Sequence, residues 1–259
     1  MHPVCDHPGW GPTNTRAVRT PAGGTTATAE ETGITLGPSE AAVDVYDPAT
    51  LTHRTPAALR RVLAGHGPAE RLRNPDLWDA IATAIIRQVI RADQARLMYQ
   101  RFTAAIGEPI NHVGERLHLF PTPNVVLSVD DTTFTRLGMA FKRRPLRAAA
   151  EAFGDLGVKW ASLPPADLAA EIQSVPRIGP WTAGAAVADY TGDFSFYPYG
   201  DMAVRKYARQ AAPSLALPDT EADFATRWRG YAGTPGELSA LTVLTLALGG
   251  HRGKARPPV

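Results

Sequence analysis

Residues 172–206 read IQSVPRIGPWTAGAAVADYTGDFSFYPYGDMAVRK. The run Pro176-Arg177-Ile178-Gly179-Pro180 breaks off one helical pattern, and Pro180 suits the first turn of the next helix, where its missing N–H is not needed. Small residues carry that second helix from Thr182 to Tyr190. A loop rich in aromatic and turn-forming residues then runs from Gly192 to Gly200. Asp201 follows it at the start of a third helix, whose apolar positions are Met202, Val204 and Tyr207. The stretch is a helix, a tight hairpin, a helix, a loop and an acid that opens a helix.

Such a hairpin turns the N–H groups of Gly179 and of the following helix N-terminus toward one phosphate, which grips a nucleic-acid backbone without reading its bases. Global charge does not demand that partner, since 27 basic residues face 25 acidic ones. Local charge is more telling. Residues 136–147, RLGMAFKRRPLR, hold five basic side chains and no acid, a cluster suited to a polyanion or to a solvated helix face.

The hairpin and the loop after it resemble the helix-hairpin-helix DNA glycosylase superfamily, whose pattern is a Pro-Gly-hydrophobic-Gly hairpin, a Phe/Tyr-Pro loop and an aspartate. Within it they are most similar to the AlkA-type 3-methyladenine DNA glycosylases (type II). Gly-Pro-Trp-Thr-Ala of residues 179–183 and Tyr197-Pro198-Tyr199-Gly200-Asp201 carry the likeness. Arg177 departs from it, standing where the family has its first glycine. If that site needs a positive φ, arginine strains the turn; alternatively its guanidinium adds a phosphate contact.

The resemblance implies an all-α, two-lobed body over residues 70–250, preceded by residues 1–69, partly disordered or a small α/β unit with a few strands, and followed by a loose tail, residues 251–259. It implies a monofunctional enzyme of base excision repair, monomeric on double-stranded DNA, that flips out a damaged base, an alkylated purine above all, and hydrolyses its N-glycosidic bond. The alternatives are a glycosylase for another modified or bulky base and a non-catalytic DNA-binding protein. Asp201 is the expected catalytic carboxylate, against the competing reading of a plain helix N-cap.

Trp181 stands where strand-nicking relatives carry a lysine, so no lyase step is expected. It also matches a base-pocket aromatic, able to attract a cationic purine through its π face or simply to fill the core. Tyr197 and Tyr199 are the other pocket residues, with Trp228 as a further stacking surface. The expected DNA contacts are Gln88, Val89 and Ile90, matching the family's Gly-Gln-Gln or Gly-Gln-Leu turn, together with Arg177, Ile178, Gly179 and Thr182 of the hairpin. Val89 is the wedge that fills the gap left by the base, or else a core residue of an amphipathic helix. Arg87 and Arg91 depart from the family's small residues there. The resemblance implies no required cofactor, and it implies a monovalent cation site, for sodium or potassium, on the main-chain carbonyls of Gln173, Val175 and Arg177.

The rest of the chain fits this frame. Its 44% apolar and 20% charged residues are those of a soluble globular protein. The single cysteine, Cys5, excludes a disulfide framework and an iron–sulfur cluster. There is no run of about 18 apolar residues to span a bilayer and no signal-peptide pattern at the N-terminus, so the expected location is the cytoplasm, on the nucleoid. Helical spacing predicts helices over Pro56–Gly65, from Trp78 to Val89, from Ala95 to Gly107, and in the last third over Glu221–Tyr231 and Glu237–Leu248. Ala41–Tyr46 is a candidate strand. Residues 1–40, and GGTTATAEETG within them, read as a flexible arm; His2 and His7 beside Cys5 lack a second ligand pair for a metal.

Overall fold

The computed structural model describes residues 1–112 and 114–250. The tail from residue 251 onward, expected to be loose, lies outside the described residues. In chain order the elements are β1 (His2–Pro3), β2 (Thr15–Thr20), β3 (Gly23–Glu30), β4 (Gly33–Leu36), β5 (Val43–Tyr46), α1 (Ala57–His66), β6 (Ala69–Leu72), α2 (Leu77–Arg87) and α3 (Ala92–Ile106). There follow β7 (Pro109–His112), β8 (Glu115–His118), α4 (Pro123–Ser128), α5 (Asp131–Arg136), α6 (Arg143–Ala161), α7 (Pro165–Gln173), α8 (Pro180–Thr191), α9 (Met202–Ala211), α10 (Glu221–Gly230) and α11 (Pro235–Gly250). The fold is mostly helical.

Helix α2 is central. Asp76 caps its first turn, accepting from the N–H groups of Trp78 at 2.9 Å and Asp79 at 3.3 Å. Every residue from Leu77 to Ile86 is buried, because α2 runs between α6 and α8. Small residues let α8 pack closely: Ala183, Ala185, Ala186 and Ala188 are all buried. Gly184 has no room for a side chain, since a Cβ there would strike the Phe196 carbonyl. That close approach seats the 193–200 loop on α8 and so fixes where Asp201 emerges. Gly192 ends α8 in the left-handed conformation, φ 75°, its N–H returning to the Ala188 carbonyl.

The N-terminal region is ordered, which corrects its reading as a flexible arm. Strands β2, β3 and β4 form an antiparallel sheet, and β1, β6 and β5 a second one with β1 parallel to β6. GGTTATAE is strand β3. Its alternation is invisible in the sequence because both faces are covered, one over Trp10, Val18 and Leu72, the other near the β7–β8 hairpin, where the Thr26 hydroxyl meets His112 Nδ1 at 3.0 Å. Threonine and alanine fill that space without looking hydrophobic. The expected division after residue 69 falls inside β6, and Leu59 and Leu63 of α1 belong to the main helical core.

A buried polar joint fastens these strands to the helices. Arg71 of β6 pairs with Asp6 at 3.0 Å and with Asp189 of α8 at 2.6 Å. Arg16 of β2 pairs with Asp79 of α2 at 2.8 Å, and Asn74 donates to both Asp79 and Asp189. Burial pushes the Asp189 carboxyl up, but the Arg71 and Arg16 charges outweigh it and hold the group below the usual carboxylate range. His7 sits in the same joint, Nδ1 accepting from the Gly9 N–H and Nε2 meeting the Thr83 hydroxyl at 3.0 Å. Burial and the neighbouring arginines hold its pKa well below the ordinary value, so it is neutral. Both ring nitrogens are committed, and no cluster of three metal-ligating side chains exists among the described residues. Nor is any helix of those residues long and apolar enough to cross a membrane.

Candidate DNA-facing site

The hairpin forms between α7 and α8. Its turn is closed by Val175 N–H to the Ile172 carbonyl and Ile178 N–H to the Val175 carbonyl. Val175 and Ile178 are buried and anchor the turn from inside. Gly179 is exposed with open space around it, and α8 has no side-chain cap, so the N–H groups of its first turn face outward from an exposed helix end.

Arg177 has φ 72°, the left-handed region that glycine favours. The turn therefore keeps its shape despite the arginine, at a backbone cost of about 1–2 kcal/mol. The side chain is exposed and makes no ion pair among the described residues. Arg177→Gly should raise unfolding stability by about 1 kcal/mol in urea titrations. In the same variant the slope of log affinity for duplex DNA against log salt should fall by about one unit. An unchanged slope would mean that the guanidinium touches no phosphate.

A second turn, Gln88-Val89-Ile90, follows α2 and lies against the hairpin. Gln88 Nε2 donates to the Arg177 carbonyl at 3.2 Å and to the Thr182 hydroxyl at 2.5 Å. The Gln88 and Thr182 side chains, expected to face DNA, thus hold the two turns together, and Thr182 is only 2% exposed. Ile178 and Ile90 pack inward. Val89 alone projects: it is 102% exposed at φ 59°. A β-branched residue in that conformation is strained and apolar surface in water is unfavourable, a combination found where a side chain serves a function. The sequence alone leaves Val89 a wedge or a core residue, and its exposure removes the second reading.

Lys142 sets this turn. Its Nζ is buried and donates to the Ile85 carbonyl at 2.8 Å and the Gln88 carbonyl at 2.6 Å, satisfying the last carbonyls of α2. Burial pushes its pKa down to about 8, so at pH 7 the ammonium persists. Nothing in the sequence separates Lys142 from its basic neighbours. Arg143 and Arg147 both pair with Asp131, and Arg147 also donates to the Val129 carbonyl. The run 136–147 is therefore largely spent within the protein, because Asp131 from the preceding helix supplies the acid that the run itself lacks. Arg136 and Arg144 remain exposed.

Asp201 caps α9 and does more than cap. Oδ1 accepts from the Ala203 N–H at 2.8 Å, while Oδ2 accepts from the Trp181 indole N–H at 3.2 Å. The carboxylate is half-buried and has no ion pair among the described residues. Trp181, at the second position of α8, thereby links the carboxylate to the hairpin. Arg87, the last residue of α2, is half-buried, and its Nη2 donates to the Tyr197 hydroxyl at 3.2 Å. Burial pushes the Tyr197 phenol up, and the charges of Arg87 and Asp201 both act on it.

The other aromatic expectations move into the core. Tyr197 is buried with Phe194 stacked on its ring at 5.4 Å. Tyr199 is buried too, its hydroxyl donating to the Ser195 carbonyl and the Arg229 guanidinium lying 5.4 Å from its ring centre. Trp228 is wholly enclosed against Phe224. None of the three offers a free face. Two surface hollows, one lined by Pro218, Asp223 and Tyr231 and the other by Tyr46, Thr52 and Glu237, do not include Asp201. The candidate site comprises Arg87, Val89, Arg177, Gly179, Trp181 and Asp201.

No protein-family model matches the chain. A curated relative described as a probable bifunctional transcriptional activator/DNA repair enzyme AlkA, from Mycobacterium tuberculosis, is 24% identical over 186 residues, 66% of this chain and 35% of that protein. The match therefore spans little more than a third of the relative's length. Among solved structures, a 3-methyladenine DNA glycosylase from Archaeoglobus fulgidus superposes with a TM-score of 0.68 at 17% identity, over 90% of this chain and 85% of the other. An 8-oxoguanine glycosylase/lyase from Clostridium acetobutylicum, in complex with double-stranded DNA containing cytosine opposite 8-oxoG, gives 0.67 at 15% identity, over 93% and 86%. Agreement over nine-tenths of the chain at such low identity is agreement of architecture, and the chain has the helix-hairpin-helix DNA glycosylase fold that residues 172–206 imply.

Proposed function

We propose that the protein is a monofunctional DNA glycosylase that extrudes a damaged purine, an alkylated one above all, from duplex DNA and hydrolyses its N-glycosidic bond. One observation carries the reading: the Asp201 carboxylate is held by the Ala203 N–H and the Trp181 indole N–H, free of any cationic partner among the described residues, beside a hairpin built to grip phosphate. When the bond to the base breaks, the sugar gains positive charge at C1′ and O4′. A fixed carboxylate next to it stabilises that charge and can orient the attacking water. The half-buried Trp181 supplies an indole beside the carboxylate on which the extruded base stacks. The cleft between two lobes, with Asp201 at its mouth, belongs to the same reading, as does action as a monomer.

The phosphate clamp is the hairpin, with Gly179 and the first N–H groups of α8 as donors and Arg177 as the charge. Val175 and Arg177 carbonyls each accept one hydrogen bond, from Ile178 N–H and Gln88 Nε2. Each keeps a second lone pair, which supports the reading that with Gln173 they hold a monovalent cation; no step of the chemistry depends on it. Val89 enters the gap left by the base and offsets part of the cost of unstacking. Val89→Gly should leave unfolding stability equal or about 1 kcal/mol higher, because glycine relieves the positive φ. Base release by that variant should fall about tenfold in single-turnover assays. Loss of stability with unchanged release would sink the wedge.

The test of the whole reading is mass spectrometry of bases freed from duplexes carrying alkylated, deaminated and oxidised bases, with gel analysis of the strand. The expected products are a free base and an intact strand with an abasic site. Trp181 cannot form the Schiff base that a lysine there would form, and Lys206, the nearest lysine along α9, is exposed with its ammonium 5.6 Å from the Tyr207 ring centre. Strand breakage before any alkaline treatment would overturn the monofunctional assignment. Silence on every base would favour a non-catalytic DNA-binding protein.

A further inference from the structure

Arg87 is anomalous. A guanidinium that loses much of its water normally gains a carboxylate, yet Arg87 is half-buried and makes no ion pair among the described residues. Of its five donors, one goes to the Tyr197 hydroxyl. It stands at the end of α2, one residue from the Gln88 bridge and two from the projecting Val89. The charges of Asp6, Asp201 and Asp189 all act on it, and none of these carboxylates is close enough to pair. Gln88, the next residue, is bonded to Thr182 beside Trp181, the Trp181 indole is bonded to Asp201, and Arg87 itself is bonded to Tyr197, four residues before Asp201, so the guanidinium is brought to the same part of the fold as the indole and the carboxylate.

We propose that Arg87 determines which bases are released, favouring neutral bases that leave the sugar as anions over bases that already carry positive charge. This rests on the glycosylase reading above and narrows its substrate to neutral lesions, exocyclic alkylation products of purines among them. When the C1′–N9 bond of a neutral purine breaks, its electron pair stays on the base. The sugar becomes cationic beside Asp201, and the base becomes anionic beside Arg87, whose N–H groups hold the charge on its ring nitrogens. Water then adds to C1′ and gives up one proton to Asp201 and the solvent, while the base regains a proton from solvent. A cationic base leaves neutral, needs no such help, and is repelled by the guanidinium before it reaches the site. Indole stacks on either kind and its π face attracts the cationic one, so Trp181 cannot be the source of a preference for neutral bases.

The test uses the full chain and two duplexes, one with a single 1,N6-ethenoadenine, which is neutral, and one with a single 7-methylguanine, which is cationic. Release is expressed as enhancement over spontaneous loss. The wild-type protein should enhance loss of the neutral base more. Arg87→Met should lower that enhancement about 100-fold, the usual effect of removing a donor aimed at developing negative charge, and raise the enhancement for 7-methylguanine about tenfold. Arg87→Lys, which keeps the charge, should fall between. Equal losses on both bases, or an unchanged rate on ethenoadenine, would overturn the role of Arg87 while leaving the enzyme a glycosylase. Should Arg87→Met not fold, a wild-type preference for 7-methylguanine overturns it equally. Failure to release any base at all removes both readings together.

Discussion

Asp201→Asn is expected to reduce single-turnover base release by about 1,000-fold while changing affinity for the same duplex by no more than about twofold to threefold. The substitution is close to isosteric. Asparagine caps helices as well as aspartate does, so its carbonyl oxygen still accepts from the Ala203 N–H and α9 keeps its start. What disappears is the negative charge, and with it the acceptor of the Trp181 indole N–H, which an amide NH2 cannot replace. On the proposed reading the ground-state duplex is held by the hairpin and by Arg177, neither of which is altered, so binding survives. The transition state alone needs the carboxylate, because only there does the sugar carry positive charge, and a loss confined to the chemical step follows. Circular dichroism and thermal melting confirm the fold, and fluorescence anisotropy reads the affinity. Release at the wild-type rate would leave Asp201 a helix cap and nothing more.

Arg71→Met should lower unfolding free energy by about 3–5 kcal/mol, a large share of the stability of an ordinary domain. Arg71 is buried against Asp6 and Asp189, and its removal strands both carboxylates without a cation in contact, Asp189 in the deeper setting. The deficit should depend on pH in a definite direction. In the wild type the arginines depress the Asp189 pKa, so its contribution is present above the unfolded value near 4 and is lost as pH falls through the lower folded value. In the variant burial acts on Asp189 with much less opposition and raises its pKa. That residue then destabilises the fold at neutral pH and ceases to do so once protonated. Chemical denaturation at pH 7 and pH 4 should therefore show a smaller gap between variant and wild type in acid. A gap that is constant with pH, or below about 1 kcal/mol at pH 7, would mean that the joint is not electrostatic.

Both expectations come from residues that the sequence presents very differently. Asp201 was legible from its neighbours. Proline, glycine and the spacing of apolar positions act over a few residues, so residues 172–206 determine a hairpin, a second helix and an acid at the start of a third without help from the rest of the chain. The helices from Trp78 onward are legible for the same reason. Strand β3 was not, because GGTTATAE is covered on both faces and leaves no alternation to read. The joint of Arg16, Arg71, Asp79 and Asp189 was not, because its members come from four different elements spread between β2 and α8 and each looks like a surface charge on its own.

The same division runs through the site. Sequence alone determined the hairpin and the acid, since both rest on backbone conformation set by adjacent residues; the Gln88-Val89-Ile90 turn came from the family resemblance, and it ends at Arg87 a helix that apolar spacing carries on to Val89. Only the tertiary structure decided that Val89 projects, that the Lys142 ammonium is a buried cap, that Tyr197 and Tyr199 are enclosed, and that Arg87 is half-buried on the Tyr197 hydroxyl with no carboxylate paired to it among the described residues. Burial and charge pairing depend on what other segments bring within a few ångströms, and that is fixed by packing over the whole fold, not by the residues on either side.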